Sequence, residues 1–135
     1  MEKKTNVFIV DDNELVVITL KRYLQSKFGD ALEISTFYDG DSCLAKVDKE
    51  THIVILDYFM KDKNGLEVLK SIKAINPKTQ VIILSSNEDI IPTLRLLREG
   101  AKDYVLKGEH GWQKVVELVA EMIAQPHTIV KGFVK

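Results

Sequence analysis

Carboxylates follow two short apolar segments at the positions where strands would end. Asp11 and Asp12 come directly after the apolar run 7–10, and Asp57 comes directly after the run 53–56. Adjacent carboxylates repel each other, so such a group is unfavourable unless a cation binds to it. Oxygen ligands at a partly hydrated site suit Mg²⁺, which takes one or two carboxylates and keeps several waters. The three aspartates are therefore a candidate magnesium site.

Two further polar side chains follow apolar runs later in the chain. Ser85 comes after the run 81–84, and Lys107 comes after the run 103–106. A metal ion, a hydroxyl group and an ammonium group around one carboxylate form a receptor for a phosphoryl group. Asp57 would then be the acceptor, attacking phosphorus to form an aspartyl-phosphate.

The elements that must position these residues alternate strictly along the chain. Three of the five apolar runs lack polar alternation, as expected for strands covered on both faces. The predicted strands are 7–10, 32–36, 53–56, 81–84 and 103–106, and the predicted helices are 13–27, 40–49, 65–75, 89–98 and 111–124. This alternation predicts a parallel sheet with helices on both faces, in which ligands bind beyond the carboxyl ends of the strands.

Composition restricts the class of protein. The chain has 135 residues, a formal net charge of −1 and one cysteine, which predicts one globular domain without an internal disulfide. Its charge gives no reason to expect nucleic-acid binding, and its apolar runs are too short to span a membrane. A cytoplasmic protein is expected, with one domain over 1–125 and a tail or the start of a linker over 126–135.

Four segments together resemble the receiver domain of two-component response regulators. They are VFIVDDNE, ILDYFMKDKNG, LSSNE and GAKDYVLK, and the resemblance covers about residues 5–124. It implies an α/β flavodoxin-like (βα)5 doubly wound parallel sheet with strand order 2-1-3-4-5. It also implies a signalling module of a phosphorelay rather than an enzyme. Such a module catalyses only its own phosphorylation and dephosphorylation.

The resemblance gives the acidic residues separate roles. Asp57 corresponds to the phosphoacceptor, and Asp11 and Asp12 correspond to the pair that holds Mg²⁺. Asp12 would be the more direct ligand, with Asp11 acting through water. The backbone carbonyl of Phe59 is expected to complete the metal site.

The resemblance also assigns the residues around the phosphoryl group. Ser85 and Lys107 are expected to hold its oxygens, and Tyr104 occupies the aromatic switch position, turning inward when Ser85 moves. Phe59 and Asn87 occupy positions that tune the lifetime of the phosphate. Bulky Phe59 is expected to hinder the attacking water and to slow hydrolysis.

The implied partners are other signalling proteins. The phosphate donor would be a sensor histidine kinase or a histidine phosphotransfer protein. Helix 4, strand 5 and helix 5, roughly 88–120, would contact a downstream protein, an output domain outside this sequence, or a second copy in a homodimer.

Two positions depart from the pattern of that family. Lys61 stands where the family usually has proline. Gly108 stands where a cis-proline usually follows the switch lysine, and because glycine tolerates unusual backbone angles, either isomer is open for this bond.

Three other interpretations fit the sequence less well than the receiver hypothesis. A pseudo-receiver that never carries phosphate would not need all five site residues. A phosphatase acting through aspartyl-phosphate would want a second acid at position 59, which is phenylalanine. In a calcium loop aligned on Gly65 the first ligand would be Met60, which excludes that site.

Overall fold

Five strands and five α-helices alternate along the chain in the computed structural model, which describes residues 3–86 and 90–124. The strands are β1 (Thr5–Val10), β2 (Leu32–Phe37), β3 (Ile53–Asp57), β4 (Gln80–Ser85) and β5 (Asp103–Leu106). The helices are α1 (Glu14–Phe28), α2 (Gly40–Lys46), α3 (Gly65–Ile75), α4 (Thr93–Arg98) and α5 (Glu109–Ala124). The predicted tail 126–135 lies outside the described residues, so the domain boundary at residue 125 stays a prediction.

The strands form one parallel sheet in the order β2-β1-β3-β4-β5, which confirms the predicted flavodoxin-like fold. Val10 of β1 pairs with Leu56 of β3, so the residue that follows each of them lies at the same edge of the sheet. On the other side of β3, Asp57 pairs with Leu84. The register therefore brings the ends of β1, β3 and β4 together.

Each face of the sheet carries its own apolar cluster. Alternate strand residues such as Ile53 and Ile55 pack with α1 and α5, whereas Val54 and Leu56 pack with α2, α3 and α4. Every residue of β3 is buried, which explains why its sequence is apolar without alternation. Burying one such aliphatic side chain contributes about 2 kcal/mol, so the central strands are firmly held.

Side-chain caps and glycines define several helix ends. The Asn13 side chain accepts the N–H groups of Leu15 and Val16 and starts α1 just after the first acidic pair. Gly29 ends α1 with a φ of 54°, in the left-handed region that glycine favours. These caps fix where the loops at the sheet edge begin.

Two helices are shorter than predicted. Residue 89 of the predicted helix 89–98 lies outside the described residues, and the described part becomes helical only at Thr93, because Pro92 disfavours a helical conformation at the residue before it. The predicted helix 40–49 ends at Lys46, because Val47 turns into an extended conformation and packs into the core. Among the residues that the structure describes, no helix has the length and apolar character to cross a membrane.

Candidate functional site

The three predicted aspartates meet at the carboxyl edge of the sheet. Asp11 and Asp57 follow paired residues at the ends of β1 and β3, and Asp12 is the next residue after Asp11. One carboxylate oxygen from each lies within 4.8 Å of the others. Asp11 is 0% and Asp57 is 3% exposed, whereas Asp12 is exposed to solvent. The cluster is therefore open on the Asp12 side.

Lys107 brings the ammonium group that the sequence predicted. Its Nζ lies 2.8 Å from Oδ2 of Asp11 and 3.1 Å from Oδ1 of Asp57. Its backbone N–H donates to the carbonyl of Ser85, which ties the end of β5 to the end of β4. Burial lowers the pKa of Lys107, but the neighbouring carboxylates raise it by more, so the ammonium stays charged. One positive charge thus faces three carboxylates.

The electrostatics of the cluster favour a further cation. The pKa of Asp57 is raised to about 7. Burial is the largest cause and the negative charge of Asp11 is the next, and the positive charge of Lys107 opposes these two effects only in part. Oδ2 of Asp11 is buried and, within the described residues, accepts no well-directed hydrogen bond despite the nearby ammonium. Lys107 compensates the charge of these oxygen donors only in part, and such donors are the ligand set that Mg²⁺ prefers, so these residues fit that ion.

Ser85 lies at the same edge, and the proposed switch residue Tyr104 is on the neighbouring strand β5. Ser85 is 2% exposed and follows Leu84, the residue that pairs with Asp57. Tyr104, on β5, has an exposed side chain that is 40% accessible, so its ring is directed outward in this structure. Asn87 lies outside the described residues, and its predicted tuning role stays a prediction.

Phe59 lies two residues beyond Asp57 with its side chain half exposed. Its ring packs edge-on against that of Tyr58, with the ring centroids 4.8 Å apart. The backbone of Phe59 pairs with Asn64 across the loop between β3 and α3. The predicted roles of Phe59, in tuning the phosphate lifetime and in binding the metal through its backbone carbonyl, stay predictions.

The turn after Lys107 takes the trans isomer. The described residues contain no cis peptide bond, and Gly108 has a φ of 128°, a conformation that other residues rarely adopt. The carbonyl of Gly108 accepts the N–H of Trp112 in the first turn of α5. Glycine thus lets β5 turn into α5 without the cis-proline that the resemblance suggested.

Sequence analysis did not predict the contacts of Asp62, a residue in the loop between β3 and α3. The Asp62 side chain accepts the backbone N–H groups of Gly40, Asp41 and Lys63. Two of these donors are more than 20 residues away, so no local pattern could identify the contact. The one local signal was the capping box of Asn64, which marks the end of the loop but not its attachment.

Comparisons with known proteins agree with this geometry. The family described as "Response regulator receiver domain" matches residues 7–120. The transcriptional regulatory protein MalR of Bacillus subtilis (strain 168) is 35% identical over 104 residues, which are 76% of this chain and 43% of that protein. This chain thus spans less than half the length of that relative.

Solved receiver structures have the same fold. A CheY-like receiver domain from Methanospirillum hungatei JF-1 superimposes with a TM-score of 0.80 at 20% identity, covering 91% of this chain and 96% of the other. The CheX-CheY-BeF3-Mg+2 complex from Borrelia burgdorferi gives a TM-score of 0.75 at 27% identity, covering 87% and 88%. With a family match over most of its length, this chain belongs to the response regulator receiver domain family.

Proposed function

We propose that this chain accepts a phosphoryl group on Asp57 and uses it to change the surface that it offers to a partner protein. The observation that carries this proposal is the ammonium of Lys107, which contacts both Asp11 and Asp57 while Asp12 lies beside them. A carboxylate beside a cation and further acids is arranged to accept a phosphoryl group rather than to stabilise the fold.

In the proposed reaction, a carboxylate oxygen of Asp57 attacks phosphorus in a phosphohistidine of a kinase or phosphotransfer protein. The new O–P bond forms as the N–P bond breaks, and the imidazole of the donor leaves with its electron pair. Asp11, Asp12 and Asp57, with the backbone carbonyl of Phe59, would hold Mg²⁺. When bound, that ion supplies positive charge to the phosphoryl oxygens.

Ser85 and Lys107 act after the transfer in this proposal. The ammonium of Lys107 already lies 3.1 Å from Asp57, so it can pair with a phosphoryl oxygen after a small movement. The hydroxyl of Ser85 is expected to bind another oxygen from the end of β4. Movement of that segment would open space for the ring of Tyr104, which is the proposed switch.

The surface formed by α4, β5 and α5 is the proposed place where partners read the switch. Leu94 is 73% exposed, and Leu97, Tyr104 and Leu106 are also exposed on these elements. A groove of about 320 Å³ lies beside Tyr104 and is lined by residues of β5 and α5. A downstream protein, an output domain or a second copy would cover this surface after phosphorylation.

The proposal includes a cytoplasmic location. MalR is named as a transcriptional regulatory protein, and a receiver that serves such a regulator acts where DNA is present. No direct contact of this segment with nucleic acid is proposed, because its net charge is −1.

Phosphorylation by a small donor tests the proposal. Incubation with acetyl phosphate and Mg²⁺ should add the mass of one phosphoryl group to the wild-type protein and none to the Asp57→Asn variant. The exposed Asp30, far from the cluster, provides a matched control, since Asp30→Asn should be modified like the wild type. No adduct would favour the pseudo-receiver, and rapid consumption of the donor without an adduct would favour the phosphatase.

A further inference from the structure

The loop between β3 and α3 (residues 58–64) is attached at its tip to helix α2. Oδ1 of Asp62 accepts the N–H of Gly40 at 3.1 Å, and Oδ2 accepts the N–H of Asp41 at 3.0 Å. The first N–H groups of a helix have no partner within the helix, so a carboxylate there makes charge-assisted hydrogen bonds. The attachment therefore joins two segments that are distant in sequence.

A second contact holds the same tip in place. Nζ of Lys63 lies 3.1 Å from Oδ1 of Asp41. The aliphatic part of Lys63 also packs over Gly40, where an added Cβ would come within 3.3 Å of it. Burial raises the pKa of Asp62, but four backbone N–H groups, those of Gly40, Asp41, Lys63 and Asp62 itself, lower it by more, so Asp62 stays charged and can accept these bonds. Two adjacent residues thus fix the tip against α2.

Two backbone contacts close the base of the loop. The N–H of Gly65 donates to the carbonyl of Tyr58 at 2.6 Å, and Phe59 pairs with Asn64. Position 61 is lysine, whose φ can rotate, whereas proline would fix it. The conformation between base and tip therefore depends on contacts rather than on a rigid residue.

We infer that Asp62 is a positioning residue for the metal site, acting through the backbone of Phe59. By holding the tip of the loop against α2, it restricts the rotation of the peptide whose carbonyl is the proposed metal ligand. This inference rests on the proposed function, because it assumes that Phe59 and the three aspartates bind Mg²⁺. Groups that orient metal ligands affect metal affinity although they do not touch the metal.

Asp39 provides a matched control for this role. Its Oδ1 accepts the N–H of Ser42 at 2.7 Å, so it caps the same helix from the adjoining residue. Among the contacts described, Asp39 makes none with the loop 58–64. Removing Asp39 therefore weakens α2 and removes one negative charge nearby, but leaves the attachment of the loop in place.

The test is an NMR titration of each variant with Mg²⁺, following backbone amide resonances. Asp62→Ala should raise the dissociation constant about tenfold. Asp39→Ala should change it by less than about twofold. Asp62→Asn also loses the charge but keeps one acceptor oxygen, so its affinity should lie between those of the wild type and Asp62→Ala. The amides of Gly40 and Asp41 should shift on Mg²⁺ binding in the wild type and not in Asp62→Ala.

The outcomes separate this inference from the proposed function. Equal Mg²⁺ affinity in the wild type and Asp62→Ala would overturn the inference and leave the metal site intact. If Asp62→Ala and Asp39→Ala lost Mg²⁺ affinity equally, the inference would be overturned in favour of an effect of helix capping. If Asp62→Ala and Asp62→Asn lost Mg²⁺ affinity equally, it would be overturned in favour of an effect of charge. A wild-type protein that binds no Mg²⁺ would overturn both. If Asp62→Ala does not fold, the comparison of Asp62→Asn with Asp39→Asn decides.

Discussion

Replacing Asp57 by asparagine should stabilise the folded protein above neutral pH when divalent cations are absent. Burial and the charge of Asp11 raise the pKa of Asp57 from 3.8 to about 7. A carboxyl group whose pKa is raised by folding contributes its full stability below its unfolded pKa and loses it as the pH rises through the folded pKa. The wild type should therefore lose stability, relative to the variant, between about pH 4 and about pH 7.

The size of the effect follows from the same shift. About three pH units, at about 1.4 kcal/mol for each, correspond to about 4 kcal/mol. The side chain is only 3% exposed, so little of this is lost to solvent screening. Relaxation around the carboxylate reduces the effect, and we expect a gain of about 2–4 kcal/mol in the free energy of unfolding above about pH 7. Below about pH 4 the gain should vanish.

Urea denaturation in the presence of EDTA measures this difference across the pH range. Trp112 is the single tryptophan, lies in α5 and is buried, so its fluorescence reports unfolding. The exposed Asp30 supplies the control, since Asp30→Asn should change stability by less than about 0.5 kcal/mol at every pH. Added Mg²⁺ should stabilise the wild type more than Asp57→Asn. A variant no more stable than the wild type at alkaline pH would refute the electrostatic account of the cluster.

Three further predictions concern the surroundings of the site. Phe59→Ala should lose its phosphoryl group faster than the wild type, because the half-exposed ring lies two residues from the acceptor; an unchanged rate of mass loss would contradict this. Gly111→Ala should destabilise the fold by about 3 kcal/mol in urea denaturation, because its Cβ would overlap the carbonyl oxygen of Leu106. Burial, and secondarily the charge of Asp39, raise the pKa of Cys43 to about 12. A thiol reagent should therefore label Cys43 only when urea unfolds the protein, and labelling of the folded protein would argue against its burial.

The fold could be predicted because the strongest sequence signals arise from local physics. Strands covered on both faces must be apolar at every position, which made β3 and β4 recognisable without any partner information. The predicted range 103–106 also agrees with β5, although this edge strand buries only Val105. The start of α4 was predicted too early, because the ring of Pro92 disfavours a helical conformation at Ile91.

The acidic cluster could be predicted because strand ends in a parallel sheet share an edge. Asp11 and Asp57 end or follow neighbouring strands, so the strand order brings them together, whereas the long side chain of Lys107 reaches them from β5 across the end of β4. The attachment of Asp62 to α2 could not be predicted in this way. The attachment requires the loop between β3 and α3 to come close to the start of α2 in space. Neither hydrophobic periodicity nor helix-capping rules can predict that distance.

The separate apolar clusters on the two faces of the sheet affect how this chain can change in sequence. Neighbouring residues of one strand, such as Ile55 and Leu56, face opposite clusters and have hydrogen-bonded backbone between them. Substitutions drawn from opposite faces should therefore have additive effects on stability, whereas pairs within one face should be coupled through shared contacts. A substitution in the layer under α1 and α5 should therefore need no compensating change beneath α3.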